Sequence, residues 1–105
     1  GARNLDTVPS TIEVLPHVAS RVNKKIPVLM DGGIRRGTDV LKAIALGANA
    51  VLVGRPVCYG LACGGAEGVA KVLGILQNEL RMAMALTGTP SIARIDKSFI
   101  WGQAR

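Results

Sequence analysis

The sequence is poor in aromatic residues, and this shortage argues against a nucleic-acid-binding module. Aromatic residues make up 3% of the 105 residues, namely Tyr59, Phe99 and Trp101. Proteins that bind single-stranded nucleic acid stack bases on aromatic side chains placed among basic clusters, and the basic residues here are scattered. The net charge of +6 is the single feature that favours nucleic acid, so we expect no nucleic-acid partner.

Cysteine and histidine are equally scarce, which argues against a metal centre. The chain has two cysteines, Cys58 and Cys63, and one histidine, His17. The cysteine spacing matches no common zinc or redox motif, so we expect no metal and two reduced thiols packed against the core. His17 lies on a predicted helix, far in sequence from the loops described below. We therefore expect it to be a structural or surface residue rather than a catalytic base.

The sequence also lacks long apolar runs and a signal-peptide pattern. No run approaches the roughly 20 apolar residues of a membrane-spanning helix, and the chain starts at Gly1 without a leader pattern. We expect an intracellular protein without a membrane span. The last three residues, Gln103-Ala104-Arg105, do not form a peroxisomal signal, so the cytoplasm and the peroxisome both stay open.

Glycine, in contrast, is abundant, and it stands beside arginine in two loops. The loops read Asp31-Gly32-Gly33-Ile34-Arg35-Arg36-Gly37 and Gly54-Arg55-Pro56, after apolar runs at residues 26–30 and 50–53. Loops that follow parallel strands meet at one sheet edge. Glycine lets the backbone approach an anion, helix-initial N–H groups point at it, and arginine adds a bidentate fork. The pattern predicts a phosphate clamp.

The order of the predicted elements favours an α/β fold. We expect a helix from the N-cap Ser10, with Glu13 completing a capping box, to about Ser20. Further predicted elements are strands at 26–30 and 50–53, helices at 38–46, 57–63 and 66–87, a turn from 91 and a tail from 96. The last two βα loops of (β/α)8 barrels often bind phosphate, and a complete barrel needs roughly 250 residues. The prediction is the C-terminal part of a TIM barrel, about strands 7 and 8, with residues 1–105 as an incomplete domain.

Several ordered motifs resemble one family. Residues 1–6, Gly-Ala-Arg-Asn-Leu-Asp, are similar to the end of the HGxRQLD motif of FMN-dependent α-hydroxy acid oxidases and dehydrogenases, with Asn4 in place of Gln. Residues 26–40 resemble the strand-7 and phosphate-loop signature of that family. The match continues in order through residues 42–48, 54–56, 67–69 and 84–88, and it is greatest to glycolate oxidase-like members.

This resemblance implies a cofactor, a substrate and roles for particular residues. The FMN phosphate and ribityl chain would contact Asp31, Gly32, Gly33, Ile34, Arg35, Gly54 and Arg55. Arg3 would bind the substrate carboxylate. Arg36, which stands next to Arg35, is expected from its position to be a solvated or salt-bridged neighbour. The catalytic histidine of the family falls directly ahead of Gly1, so we expect no catalytic base within this chain.

The resemblance also implies the reaction and leaves alternatives open. The intact enzyme would oxidise a small 2-hydroxy acid, glycolate- or lactate-like, to the 2-oxo acid and pass electrons to oxygen or another acceptor, often as a homotetramer. One alternative is a non-catalytic barrel fragment. Another is a different phosphate-binding barrel, such as an IMP dehydrogenase-like enzyme, although Cys58 and Cys63 follow the phosphate loop and do not resemble its loop nucleophile.

Overall fold

The structure, a computed structural model, describes residues 4–102 and alternates helices with short strands. Its elements are α1 (Thr11–Val22), β1 (Leu29–Asp31), α2 (Gly37–Ala45), β2 (Ala50–Leu52) and α3 (Arg55–Leu86), followed by 3-10 turns at Ile92–Arg94 and Lys97–Phe99. The predicted α/β class is therefore confirmed. Arg3, predicted to bind a substrate carboxylate, lies outside the described residues.

The two strands pair in parallel, with Met30 opposite Val51. Asn49 extends this short pairing at its amino end. Its side-chain Oδ1 accepts a hydrogen bond from the N–H of Val28 at 2.7 Å, and its own N–H donates to the carbonyl oxygen of Val28 at 2.7 Å. Both strands consequently end at the same edge of the sheet, where the two glycine-arginine loops begin.

Helix α2 lies between the sheet and α3, and it contributes to two apolar clusters. The cluster on the sheet side has these buried members: Leu15, Met30, Ile34, Ala43, Leu46 and Ala48. The cluster on the other side joins Leu41 and Ala45 of α2 to Ile95, with Leu80 and Met84 of α3 packed against it. Burial of these side chains on both faces of α2 holds the sheet and α3 in one unit.

Helix α1 begins where the sequence predicts it. The carboxylate of Glu13 accepts hydrogen bonds from the N–H of Ser10 at 2.8 Å and from its hydroxyl at 2.7 Å. Pro16 lies inside the helix without ending it, and the helix continues to Val22 rather than stopping near Ser20. Leu15 is buried in the sheet-side cluster, so packing of the apolar face sustains the helix across the missing N–H.

Helix α3 consists of two arms that fold back on each other. Non-helical backbone at Gly64 and Gly65 separates residues 55–63, the first arm, from residues 66–86, the second arm. This break was predicted from the Gly-Gly pair. The arms approach closely at two further glycines, since a Cβ on Gly60 would lie 2.7 Å from the carbonyl oxygen of Gly68. Glycine at both positions lets the two backbones touch.

The predictions for the start of the first strand and for the tail were also wrong. Strand β1 starts at Leu29 rather than at residue 26, because Ile26 is exposed and lies before the region held by Asn49. The segment from residue 96 is not a free tail within the described residues. Phe99 and Ile100 pack against the cluster that contains Ile95, so burial of apolar side chains anchors this segment to α2.

The predicted burial of the two thiols was also wrong. Cys58 and Cys63 are both exposed, because the described residues cover little of the first arm beyond Gly60. Within residues 4–102, no helix is long and apolar enough to cross a membrane. Among the same residues, no cluster of three or more histidine, cysteine or acidic side chains could hold a metal ion.

The contact between the two arms predicts an asymmetric response to alanine substitution in α3. Gly68→Ala should lower the free energy of unfolding by about 1–3 kcal/mol, because its methyl group would overlap the backbone of Gly60. Gly74→Ala is the matched control: nothing lies within 4 Å of the added Cβ, so helix propensity should stabilise it by up to about 1 kcal/mol. Urea unfolding followed by circular dichroism measures both, and equal effects would contradict the close contact.

The Ser10–Glu13 pair predicts a pH-dependent contribution to stability. Hydrogen bonds from Ser10 hold the pKa of Glu13 below its ordinary value of 4.5. Such a contribution is present above pH 4.5 and is lost as the pH falls through the lowered pKa. The difference in melting temperature between the protein and Glu13→Gln should therefore shrink in acid. Glu67→Gln is the control, since its exposed carboxylate accepts no hydrogen bond from the described residues.

Candidate functional site

The two glycine-arginine loops open onto one cleft of about 730 Å³ at the carboxyl edge of the sheet. Its walls are formed by Asp31, Gly32, Gly33, Ile34, Arg35, Leu52, Gly54, Arg55, Pro56 and Tyr59. All seven residues that the sequence predicts for cofactor binding are in this set. Parallel strand pairing brings them together, although the first and second loops lie about 20 residues apart in the chain.

The first loop combines an open backbone with one buried anchor. Gly32 and Gly33 have φ values of +101° and +77°, a region that favours glycine. A Cβ on Gly33 would meet nothing within 4 Å, so a ligand can approach the backbone there. The next side chain, Ile34, is 4% exposed and belongs to the sheet-side cluster. Ile34 can therefore offer its backbone to a ligand, while its side chain fixes the loop.

Carboxylates of the protein already occupy N–H groups at the start of α2. Oδ2 of Asp39 accepts from the N–H groups of Arg35 at 3.0 Å and Arg36 at 2.9 Å. Oε2 of Glu79 accepts from the N–H of Gly37 at 2.8 Å. The expectation that the first N–H groups of this helix point at an anion is wrong for these three residues, because acidic side chains satisfy them first.

The start of α3 differs, because its first turn carries no acidic residue. A Cβ on Gly54 would find nothing within 4 Å. The hydrogen bonds formed among residues 4–102 do not engage the N–H groups of Gly54 and Arg55, nor those of Gly33 and Ile34 in the first loop. Pro56 lacks an N–H, which suits the first turn of a helix. These four backbone donors and the positive end of α3 are available to an anion.

The side chains around the cleft carry both positive and negative charge. Arg35 and Arg55 are exposed, and within residues 4–102 neither guanidinium takes part in a hydrogen bond to a carboxylate. Each can form a bidentate contact with a phosphate. Asp31 ends β1 at the same edge. Its carboxylate would repel a phosphate but can accept hydrogen bonds from hydroxyl groups, so the cleft suits a phosphate attached to a polyol.

The sheet face beside the cleft carries exposed apolar side chains, of which Leu52 lines the cleft and Leu29 does not. Side chains alternate along a strand, which places Leu29 on the face of β1 that also carries Asp31, and Leu52 on the matching face of β2. Leu29 is 59% exposed and Leu52 is 51% exposed. An apolar surface next to a phosphate-binding edge is the environment expected of an amphipathic ligand with one anionic end.

Some residues at the site were missed by sequence reasoning. Tyr59 lies one helical turn after Arg55, a spacing that could have revealed it. Asp39 stands three residues after Arg36, at the capping-box position, so it was also detectable. Glu79 lies 42 residues from Gly37, and no local pattern connects them. His17 is exposed on α1 and is not among the residues of the cleft.

A family model described as FMN-dependent dehydrogenase matches residues 1–102. The chain belongs to this family. FMN is thus the cofactor associated with the chain, and a cleft that suits a phosphate attached to a polyol agrees with it. Membership in the FMN-dependent dehydrogenase family also removes the basis for the IMP dehydrogenase-like alternative.

Similar proteins support the same assignment. A 2-hydroxyacid oxidase of Dictyostelium discoideum is 59% identical over 103 residues, 98% of this chain and 26% of the relative. A peroxisomal (S)-2-hydroxyacid oxidase of Arabidopsis thaliana is 55% identical over 100 residues, 95% of this chain and 28% of the relative. A lactate oxidase structure from Pediococcus acidilactici superposes with a TM-score of 0.85 at 47% identity, covering 89% of this chain and 26% of the other.

The chain spans about a quarter of the length of these two oxidases, from 26% to 28%. It therefore matches one segment of their longer chains.

Proposed function

We propose that residues 1–105 form the C-terminal part of an FMN-binding (β/α)8 barrel, with β1 and β2 as strands 7 and 8, in an oxidase of small 2-hydroxy acids. The observation that carries this proposal is the convergence of two glycine-arginine loops on one cleft. The last two βα loops of such barrels often bind phosphate. The exposed Leu29 and Leu52 fit the proposal, because the interior face of a barrel strand is apolar.

The phosphate of FMN would be held by backbone and side-chain donors together. The N–H groups of Gly33, Ile34, Gly54 and Arg55 would contact its oxygens, and the guanidinium groups of Arg35 and Arg55 would offset its charge. In the same pose, Asp31 and Gly32 would lie along the ribityl chain, with Asp31 accepting hydrogen bonds from its hydroxyls. FMN, when bound, supplies the acceptor for the two electrons removed from the substrate.

Substrate binding is proposed for Arg3, on the resemblance of residues 1–6 to the family motif. A guanidinium fork matches a carboxylate in a bidentate manner and would orient the 2-hydroxy acid against the flavin. The base that accepts the hydroxyl proton is expected from a histidine directly ahead of Gly1. Glycolate- and lactate-like acids are the proposed substrates, with oxygen or another acceptor taking the electrons.

The oligomeric state and the cellular compartment are also proposed from the resemblance to the family. Relatives of this chain include a peroxisomal enzyme, and we propose an intracellular protein of the cytoplasm or the peroxisome. A homo-oligomer, a tetramer as is frequent in the family, is the proposed assembly. These proposals concern the complete barrel rather than the segment alone.

A second candidate function is a non-catalytic barrel fragment. The two-stranded sheet favours it, because each strand of the described chain has one neighbour only and therefore an unpaired edge. A fragment of this kind would bind phosphate weakly and associate through its open sheet edge. The two candidates differ in whether the rest of a barrel accompanies the chain.

A hybrid protein tests whether this segment can complete an FMN-binding barrel, as the proposed function requires. We define the completed barrel as the Dictyostelium oxidase with its matching quarter replaced by residues 1–105. The proposed function predicts a yellow protein whose flavin absorption bleaches when glycolate or L-lactate is added without oxygen. The isolated chain is the control and should take up no FMN. A colourless hybrid that folds but does not bind FMN would contradict the proposal.

The second loop should contribute specifically to phosphate recognition. In the completed barrel, Arg55→Ala should weaken FMN binding by about 1.5–3 kcal/mol, the scale of a charge-assisted hydrogen bond, with little effect on riboflavin, which lacks the phosphate. Arg36→Ala is the matched control, because its backbone N–H is tied to Asp39 and its side chain is predicted to be solvated. Flavin fluorescence titrations measure the affinities of the unsubstituted barrel and of both variants for each flavin. An unchanged affinity of Arg55→Ala for FMN would remove this residue from the site.

A further inference from the structure

Helix α3 connects the two loops of the cleft through a pair of close contacts. Its first arm begins directly after Gly54, in the second loop. That arm packs on the second arm where Gly60 meets Gly68. The second arm in turn touches the start of α2, where Gly37 follows the first loop. A continuous path of packed backbone therefore runs from one loop to the other.

The contact at Gly37 involves both packing and a hydrogen bond. A Cβ on Gly37 would lie 2.5 Å from the Cβ of Glu79, so the two helices touch without an intervening side chain. Oε2 of Glu79 accepts the N–H of Gly37 at 2.8 Å in a partly buried setting. Two residues that are 42 positions apart are thereby held at hydrogen-bond distance.

The negative charge of Glu79 affects phosphate binding at the first loop. A carboxylate beside a phosphate-binding loop repels an anion, and the repulsion alone would weaken binding. It also lies at the positive end of α2, which would otherwise attract the phosphate. The charge of Glu79 therefore weakens FMN binding, whereas its hydrogen bond to Gly37 would strengthen binding by positioning the loop. Removal of the side chain shows which effect is larger.

We propose that Glu79 is a positioning residue that, through Gly37, holds the first glycine-arginine loop at the spacing from the second at which both contact one phosphate. The proposal rests on the proposed function, since it requires FMN in the cleft. Glu79 does not line the cleft. It acts through the backbone of α2. On the same loop, Asp39 accepts hydrogen bonds from the N–H groups of Arg35 and Arg36.

The test compares two flavins in the completed barrel. Apoprotein carrying Glu79→Ala, Glu79→Gln or neither change is titrated with FMN and with riboflavin, and flavin fluorescence gives each Kd. Glu79→Ala should raise the Kd for FMN about tenfold, close to the loss of one charge-assisted hydrogen bond, and leave riboflavin unchanged. Glu79→Gln should restore most of the FMN affinity, because the amide oxygen still accepts the N–H of Gly37.

Controls make each outcome decisive. Glu67→Ala removes the same charge from the exposed side of α3 and should not alter the ratio of the two Kd values. If Glu79→Ala does not fold, Glu79→Asp replaces it: it keeps the charge but shortens the reach, and it should lose the preference for FMN.

The remaining results would overturn the inference or its premise. Tighter FMN binding by Glu79→Ala would mean that the charge of Glu79 acts mainly by repelling the phosphate. Unchanged binding would mean that Glu79 does not influence FMN affinity. An equal rise in Kd for FMN and riboflavin would mean that Glu79 has a general structural role. A completed barrel that does not prefer FMN to riboflavin before any substitution would instead reject the proposed function, which keeps the two failures separate.

Discussion

The parallel pairing of β1 with β2 is the constraint on which the site depends. It sends two loops from different parts of the chain to the same edge, where their glycines and arginines surround one cleft. The ladder is short, so the two hydrogen bonds between Asn49 and Val28 are a substantial part of what sets its register. A slip of one residue in either strand would turn Asp31 or Leu52 to the opposite face and disrupt the cleft.

The two helices that follow the strands use their positive ends differently. At α2, Asp39 and Glu79 satisfy N–H groups of the first turn and fix the geometry of the loop. At α3, no acidic side chain lies in the first turn, and the N–H groups of Gly54 and Arg55 stay available. Carboxylates of the protein thus accept hydrogen bonds from the N–H groups at the start of α2, whereas those at the start of α3 are available to a ligand.

Much of this arrangement could be predicted from local sequence patterns. The glycine-arginine loops, the Gly64-Gly65 break and the Ser10–Glu13 pair depend on neighbouring residues, and the structure contains all three. What could not be predicted depends on partners distant in the chain. The Glu79–Gly37 hydrogen bond and the packing of Phe99 against the cluster of Leu41 and Ala45 join residues far apart in the chain, and no short window of sequence connects them.

The buried side chain of Ile34 has a consequence for the thermodynamics of ligand entry. It is 4% exposed while the loop residues on either side of it face the cleft, and Asp39 holds the next two N–H groups. A loop anchored in this way loses little conformational freedom when a ligand arrives. The loop has already lost its conformational entropy on folding. The affinity for a ligand at this edge is therefore governed by the contacts between ligand and loop rather than by a disorder-to-order transition.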